Sequence, residues 1–183
     1  MIIENKEIEG KEIKWILRCP TKEDAYELSK LRVQIDGETE NLDRELGEAL
    51  LTPEGFEKII YDDLMRERNI FLVAEVEGRI VGFSRCVGNE LSRFRHKAEF
   101  GICIMKKYWG YGIGKVLLEN IIMWTDTVGI EKISLNVVQT NTKAIQLYKR
   151  FGFVEEGILL NDRIHKDGNY YNTVVMGRLS KNR

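Results

Sequence analysis

Little in this chain of 183 residues invites a disulfide or a metal. Its three cysteines, Cys19, Cys86 and Cys103, are odd in number and far apart, and only His96 and His165 accompany them. That pattern excludes a disulfide framework and a zinc spacing, so no metal is expected and a reducing, cytoplasmic home is. Neither sign of charge prevails: 28 Lys+Arg against 29 Asp+Glu leave a net charge of -1. The electrostatic case for nucleic acid or an anionic membrane surface is therefore missing. No apolar run reaches the length of a membrane span, and Met-Ile-Ile-Glu-Asn-Lys-Glu has no signal-peptide core. Proline occurs only at Pro20 and Pro53, and no internal repeat or low-complexity tract is present. At 43% hydrophobic and 31% charged, what remains is ordinary globular sequence, long enough for one α/β domain and too short for two.

Glycine is where the chain becomes specific. In Lys107–Leu118, Gly110, Gly112 and Gly114 stand at every second position. They run into an apolar helical pattern of Ile113, Val116, Leu117, Ile121 and Trp124. Glycine admits positive φ and close approach of a ligand. The first turn of the helix adds unpaired N–H groups and the positive end of its dipole. Together they form a seat for a phosphate or diphosphate. A P-loop would need four residues between its glycines and Ser or Thr after the lysine, but Val116 follows Lys115. A dinucleotide fingerprint would place its third glycine one position later.

Around this loop the elements are legible. Lys14 to Cys19 reads as a strand ended by Pro20, and Thr21 with Asp24 as a capping box for a helix to about Ile35. The segment 36–50 carries Asp36, Glu38, Glu40, Asp43, Glu45 and Glu48 against Arg44 alone. A helix follows from Pro53 to about Arg68. Ile70–Val76 and Arg79–Val87 form a hairpin about Glu77-Gly78, and His96–Met105 is a strand after the basic loop of Arg93 and Arg95. Glu131–Val138 alternates as a strand. Next comes a helix with Asn141 as N-cap, inner residues Ala144, Leu147, Tyr148 and Phe151, and Gly152 as its stop. Strands at about 154–165 and 170–180 close the chain. Residues 1–12 read as an N-terminal extension, a tail or an added strand, and 13–183 as a single domain.

This order of parts resembles the GNAT superfamily of acyl-CoA-dependent N-acetyltransferases. That family's signature, Arg/Gln-x-x-Gly-x-Gly/Ala, is framed by Trp109 to Gly114 with Gly112 and Gly114 in place. Its later Asn-x-x-Ala-x-x-Leu-Tyr and Gly-Phe pattern is met by Asn141, Ala144, Leu147, Tyr148, Gly152 and Phe153. The resemblance spans residues 13 to 180. It implies a mixed α/β (α+β) fold: a mostly antiparallel sheet of about seven strands, about four helices, and a central parallel pair that splays around the cofactor. Trp109 departs from the signature's Arg or Gln, as in the branch similar to ribosomal-protein and small-amine acetyltransferases. Trp109 is expected to pack at the start of the loop and take no catalytic part.

The resemblance further implies acetyl-CoA as co-substrate. Trp109, Gly110, Tyr111, Gly112, Ile113, Gly114 and Lys115 would hold its diphosphate, and Ile102, Cys103 and Ile104 would bind its pantetheine arm through the main chain. Asn136, Asn141 and Ala144 would add contacts. Tyr148 is either a core tyrosine of an amphipathic helix or, as in the family, the general acid at sulfur; its free pKa near 10 suits a thiolate. Glu99 is either an exposed strand residue paired with Lys97 or Arg95 or the general base acting through water. Cys103 reads as packing rather than as an acetylated nucleophile, since no histidine is near it in sequence.

The acceptor implied is a small amine, a polyamine or a peptide N-terminus. Its pocket would lie where the first two helices, their acidic connection and the last strands meet. The acidic run either draws a cationic amine or is a solvated loop, and Tyr170 and Tyr171 either flank the acceptor or fill the core. The chain would act as a monomer or homodimer. The competing reading is a non-catalytic acyl-CoA-binding module on the same fold.

Overall fold

The computed structural model describes residues 4–10 and 12–180. One eight-stranded sheet forms the centre, in the order β1-β2-β3-β4-β5-β6-β8-β7. Its strands are β1 (Lys6–Glu9), β2 (Lys14–Arg18), β3 (Asn69–Val76), β4 (Arg79–Gly88), β5 (Lys97–Ile104), β6 (Lys132–Val138), β7 (Val154–Ile164) and β8 (Tyr170–Leu179). Four helices accompany them: α1 (Ala25–Glu38), α2 (Pro53–Met65), α3 (Ile113–Thr127) and α4 (Thr142–Arg150). The strand count exceeds the expected seven because part of the 1–12 extension pairs with β2 as the edge strand β1. Its side chains are mostly charged and exposed, and it is held by pairing with β2, by Ile8 against the core and by Lys6 Nζ donating to Asn120 at 3.0 Å.

All neighbours are antiparallel except β5 and β6. That parallel pair is registered only at Lys97↔Lys132, Ala98↔Ile133 and Glu99↔Ser134. Beyond Glu99 the two strands part.

Local chemistry sets the boundaries. Glu77 and Gly78 both have positive φ, 49° and 76°, which fits the tight turn of the β3–β4 hairpin. Thr52 accepts a hydrogen bond from Gly55 N–H at 3.2 Å and places Pro53 in the first turn of α2; such a cap stabilises by about 1 kcal/mol. Asp24 receives the Thr21 N–H at 2.6 Å as the capping box requires. A 3₁₀ turn at Lys22–Asp24 precedes α1, which runs on to Glu38 rather than ending near Ile35. α2 stops at Met65, short of the expected Arg68.

Two apolar clusters cover the sheet. On one face Leu28, Leu31 and Ile35 of α1 and Phe56 and Ile60 of α2 meet Phe71, Val73, Phe83 and Cys103. On the other, Leu117, Leu118 and Ile121 of α3 and Tyr148 of α4 meet Leu72, Phe100, Ile133 and Leu135. Among the described residues no helix is long and apolar enough to cross a membrane.

Candidate active site

The parting of β5 from β6 creates the site. Met105 donates its N–H to Val81 O at 3.0 Å, so by antiparallel alternation Cys103 and Gly101 turn their polar groups toward β4. Phe100, Ile102 and Ile104 therefore turn theirs toward the widening gap, where β6 no longer answers. An extended ligand can complete the ladder there, as an added strand would.

The glycine turn stands at one end of this gap. Gly110 and Gly112 have φ of 91° and 87°, the left-handed region that favours glycine. Gly112 caps α3, and its carbonyl accepts the Val116 N–H at 3.1 Å. The N–H groups of the preceding residues in that turn point outward without an intrahelical partner. A Cβ on Gly114 would stand 3.3 Å from Ile104 Cδ1, so this glycine lets α3 sit close on β5. Ile113 is buried and contributes only its backbone. The Lys115 ammonium lies over the helix surface, 3.6 Å from Glu119. Tyr111 rests against Tyr108, ring centroids 6.4 Å apart.

Trp109 holds the start of the loop through a polar contact rather than through burial. It is 42% exposed and not packed into the core. Its indole Nε1 donates to Ile104 O at 2.8 Å, which occupies one acceptor of the gap-facing backbone and ties the loop to β5. An indole N–H that finds a carbonyl can do what an arginine would not do here: hold the strand end without adding charge.

Tyr148 stands at the other side of the gap. Its ring packs edge-on to Phe100 (centroids 6.2 Å) and tilts against Phe153 (5.7 Å). Burial pushes its phenol well above the usual tyrosine range, and the nearby Cys103 adds to that. The proton is thus held on oxygen throughout the neutral range. Cys103 itself belongs to the cluster on the opposite face of the sheet.

The Cys103 thiol is itself pushed up to about 11 by burial, against the pull of Arg32 and with Asp36 and Asp43 adding to the rise. A protonated, buried thiol is a poor nucleophile. Its Sγ accepts a hydrogen bond from Arg32 Nη1 at 3.2 Å, a partner no sequence pattern pointed to.

The remaining expected residues sort by what their atoms already do. Asn141 caps α4 by accepting the Ala144 N–H at 3.3 Å, so that N–H is committed, and the Asn141 amide nitrogen is the atom left to meet a ligand. Asn136 is exposed two residues beyond the last parallel pair, at the mouth of the gap. Glu99 is exposed at the point where the strands part, and among the described residues no ion pair joins it to Lys97 or Arg95. It shares a sheet face with Gly101 and Cys103, with open space over Gly101. Four residues of strand separate it from Cys103, about 13 Å.

The acidic segment is less isolated than its sequence suggests. Arg32 Nε donates to Asp36 at 2.9 Å, Arg163 Nη2 to Asp43 at 3.1 Å, and the Lys166 N–H to Glu40 at 2.7 Å. The connection of α1 and α2 is thereby folded against the end of β7. Neither closing tyrosine fills the core: Tyr170 is exposed, and Tyr171 stacks on His165 while its hydroxyl donates to Asp167 at 2.7 Å.

With this geometry in hand, residues 38–153 match the acetyltransferase (GNAT) family. The chain belongs to the GNAT family of acetyltransferases. A GNAT-family acetyltransferase from Streptococcus pneumoniae has a similar structure, with a TM-score of 0.87, 30% identity, and coverage of 91% of this chain and 99% of that one. The chain is 30% identical to an L-amino acid N-acetyltransferase of Escherichia coli over 59% of its own length and 67% of the relative's. It is 31% identical to a spermidine N(1)-acetyltransferase of Vibrio cholerae over 58% of its own length and 60% of the relative's. The match thus spans about two thirds or less of these two relatives. Within this GNAT domain, Arg32 on Cys103 and Arg163 and His165 at the end of β7 are side chains that sequence reasoning did not single out.

Proposed function

We propose that the chain is an acetyl-CoA-dependent N-acetyltransferase that moves an acetyl group to a primary amine by direct attack in a ternary complex. The observation that carries this reading is the loss of β5–β6 pairing beyond Glu99 and Ser134, between the glycine turn and Tyr148. The residues fit the co-substrate: a bent turn with outward N–H groups suits a diphosphate, and an unanswered strand edge suits the amides of pantetheine. When bound, acetyl-CoA supplies a thioester activated for acyl transfer.

The chain's own groups divide the remaining work. The gap-facing N–H of Ile102 polarises the carbonyl oxygen. A primary ammonium with a pKa near 10 must shed a proton at pH 7, at a cost of about 1.4 kcal/mol per unit. Glu99 receives that proton through water, given its distance along the strand. The amine nitrogen then bonds to the carbonyl carbon, the carbon–sulfur bond breaks, and Tyr148 donates its proton to the departing thiolate. The second proton lost by nitrogen returns to the tyrosine oxygen through solvent. Because the phenol is raised, Tyr148 gives up its proton only to a sulfur that already carries negative charge.

Calorimetry with acetyl-CoA, paired with a thiol-release assay over a panel of amines, tests this. Binding with amine-dependent release supports it. Binding without release on any amine would leave an acyl-CoA-binding module instead.

A further inference from the structure

A pocket of about 410 Å³ lies between the α1–α2 connection and residues 162–166 at the end of β7. Two of its lining residues carry a buried polar atom with no hydrogen-bond partner, Asp36 Oδ1 and His165 Nε2. Their side chains are only 3% and 10% exposed. Burying such an atom unsatisfied is costly, so each marks a place where a donor belongs.

The rest of both side chains is fixed. Arg32 holds Asp36 Oδ2, and the same guanidinium reaches Cys103 Sγ through Nη1. His165 stacks on Tyr171 at 4.1 Å, and its Nδ1 faces Glu40 Oε2 at 3.9 Å. With its proton on Nδ1, toward Glu40, the imidazole presents a lone pair at Nε2. Both unpartnered atoms are then acceptors, and what they call for is a ligand with N–H groups at more than one point.

Charge narrows the ligand further. The lining holds six carboxylates against Arg44, Arg163 and Lys166. Arg163 is engaged by Asp43, and Arg44 Nη1 donates to Ala49 O. A ligand bearing a carboxylate meets this surplus as repulsion, whereas one with several ammonium groups is drawn in. Asp36 and Cys103 Sγ share the Arg32 guanidinium, which links the pocket wall to β5.

We propose that this pocket takes a linear diamine or polyamine as the acetyl acceptor, with Asp36 Oδ1 and His165 Nε2 each receiving N–H groups of its nitrogens. The proposal rests on the acetyltransferase reading and names its substrate class. The test is thiol release with acetyl-CoA and four acceptors: spermidine, 1,4-diaminobutane, butylamine and leucine. The wild-type chain is expected to show a kcat/KM for spermidine on the order of 100-fold above butylamine, with leucine lowest. Asp36→Asn is expected to raise the KM for spermidine about tenfold or more with acetyl-CoA affinity by calorimetry retained. His165→Phe, which keeps the stack on Tyr171, is expected to raise it about threefold. Leucine or butylamine turned over as well as spermidine overturns the proposal while leaving an acetyltransferase, and needs no variant to fold. An unaltered spermidine KM in folded Asp36→Asn overturns it as well. Acetyl-CoA bound with none of the four amines turned over defeats the acetyltransferase reading and the proposal with it.

Discussion

The glycine turn at 110–114 and the pocket beneath the α1–α2 connection, the two ends of the proposed site, are made by different means. The turn is local: five residues of sequence, two positive φ angles and the start of a helix suffice, and the groups it offers are backbone N–H donors. The pocket is assembled across the chain. Glu40 meets the Lys166 N–H, Asp43 meets Arg163, and what it offers is side-chain oxygen and nitrogen. A phosphate-binding turn can therefore be common to many acceptors, while the acceptor end can change by single side chains. That asymmetry predicts which parameter each substitution moves.

The largest effect is expected at the turn. Gly112→Glu puts a side chain and a negative charge where the diphosphate is proposed to lie, and acetyl-CoA binding should be abolished, with turnover lost along with it. Gly112→Ala separates the causes: with φ at 87° and open space around the Cβ, it adds only left-handed strain of about 1–2 kcal/mol. Calorimetry with a folding check decides this, and wild-type affinity in folded Gly112→Glu would remove the turn from the site.

Next comes Tyr148→Phe, between the two ends. It keeps the packing on Phe100 and Phe153, and kcat should drop by a factor on the order of 10²–10⁴ while KM for both substrates holds. The pH profile adds a check on sign. A raised phenol stays protonated to higher pH, so the wild-type rate should climb as the amine deprotonates and show no alkaline fall below about pH 10. An alkaline limb at lower pH that Tyr148→Phe abolishes would contradict the buried, raised phenol.

A smaller and one-sided effect is expected from Arg163→Met. Arg163 ties β7 to Asp43 and to Leu42 O, so its loss should loosen the acceptor wall and raise acceptor KM about threefold to tenfold. Acetyl-CoA affinity should not follow; if both change together, the two ends are not independent. The smallest effect belongs to Glu99→Gln. A base that works through water should cost at most about tenfold in kcat/KM near pH 7, and raising the pH to deprotonate the amine should recover it. A deficit that persists at pH 10 would give Glu99 a different role.

How much could be read from the sequence follows the same division. The hairpin at Glu77-Gly78, the cap at Thr52, the strand–turn–helix at 97–127 and the α4 cap at Asn141 were all legible, because each rests on residues within a few positions of one another. The edge strand β1 was left open between a tail and an added strand, since its charged residues have no alternation and its partner β2 supplies the pairing. Trp109 was read as a packing residue at the start of the loop, a place the motif gives without its partner. Its actual partner, the Ile104 carbonyl, depends on where β5 ends and how the turn folds back.

The sequence by itself determined the glycine turn and the capped helices, since backbone torsion and helix periodicity are short-range properties written in consecutive residues, and the resemblance of its motifs to the GNAT family implied the mixed sheet with its splayed parallel pair. Only the tertiary structure decided at which residue the expected splay of β5 and β6 begins, just past Glu99, that Trp109 takes a strand carbonyl, and that the acidic run is partly neutralised by Arg32 and Arg163. It alone left Asp36 Oδ1 and His165 Nε2 buried and unpartnered in one pocket. Charge and hydrogen-bond satisfaction depend on neighbours in space, and Asp36 and His165 become neighbours of the same cavity only once the chain has closed.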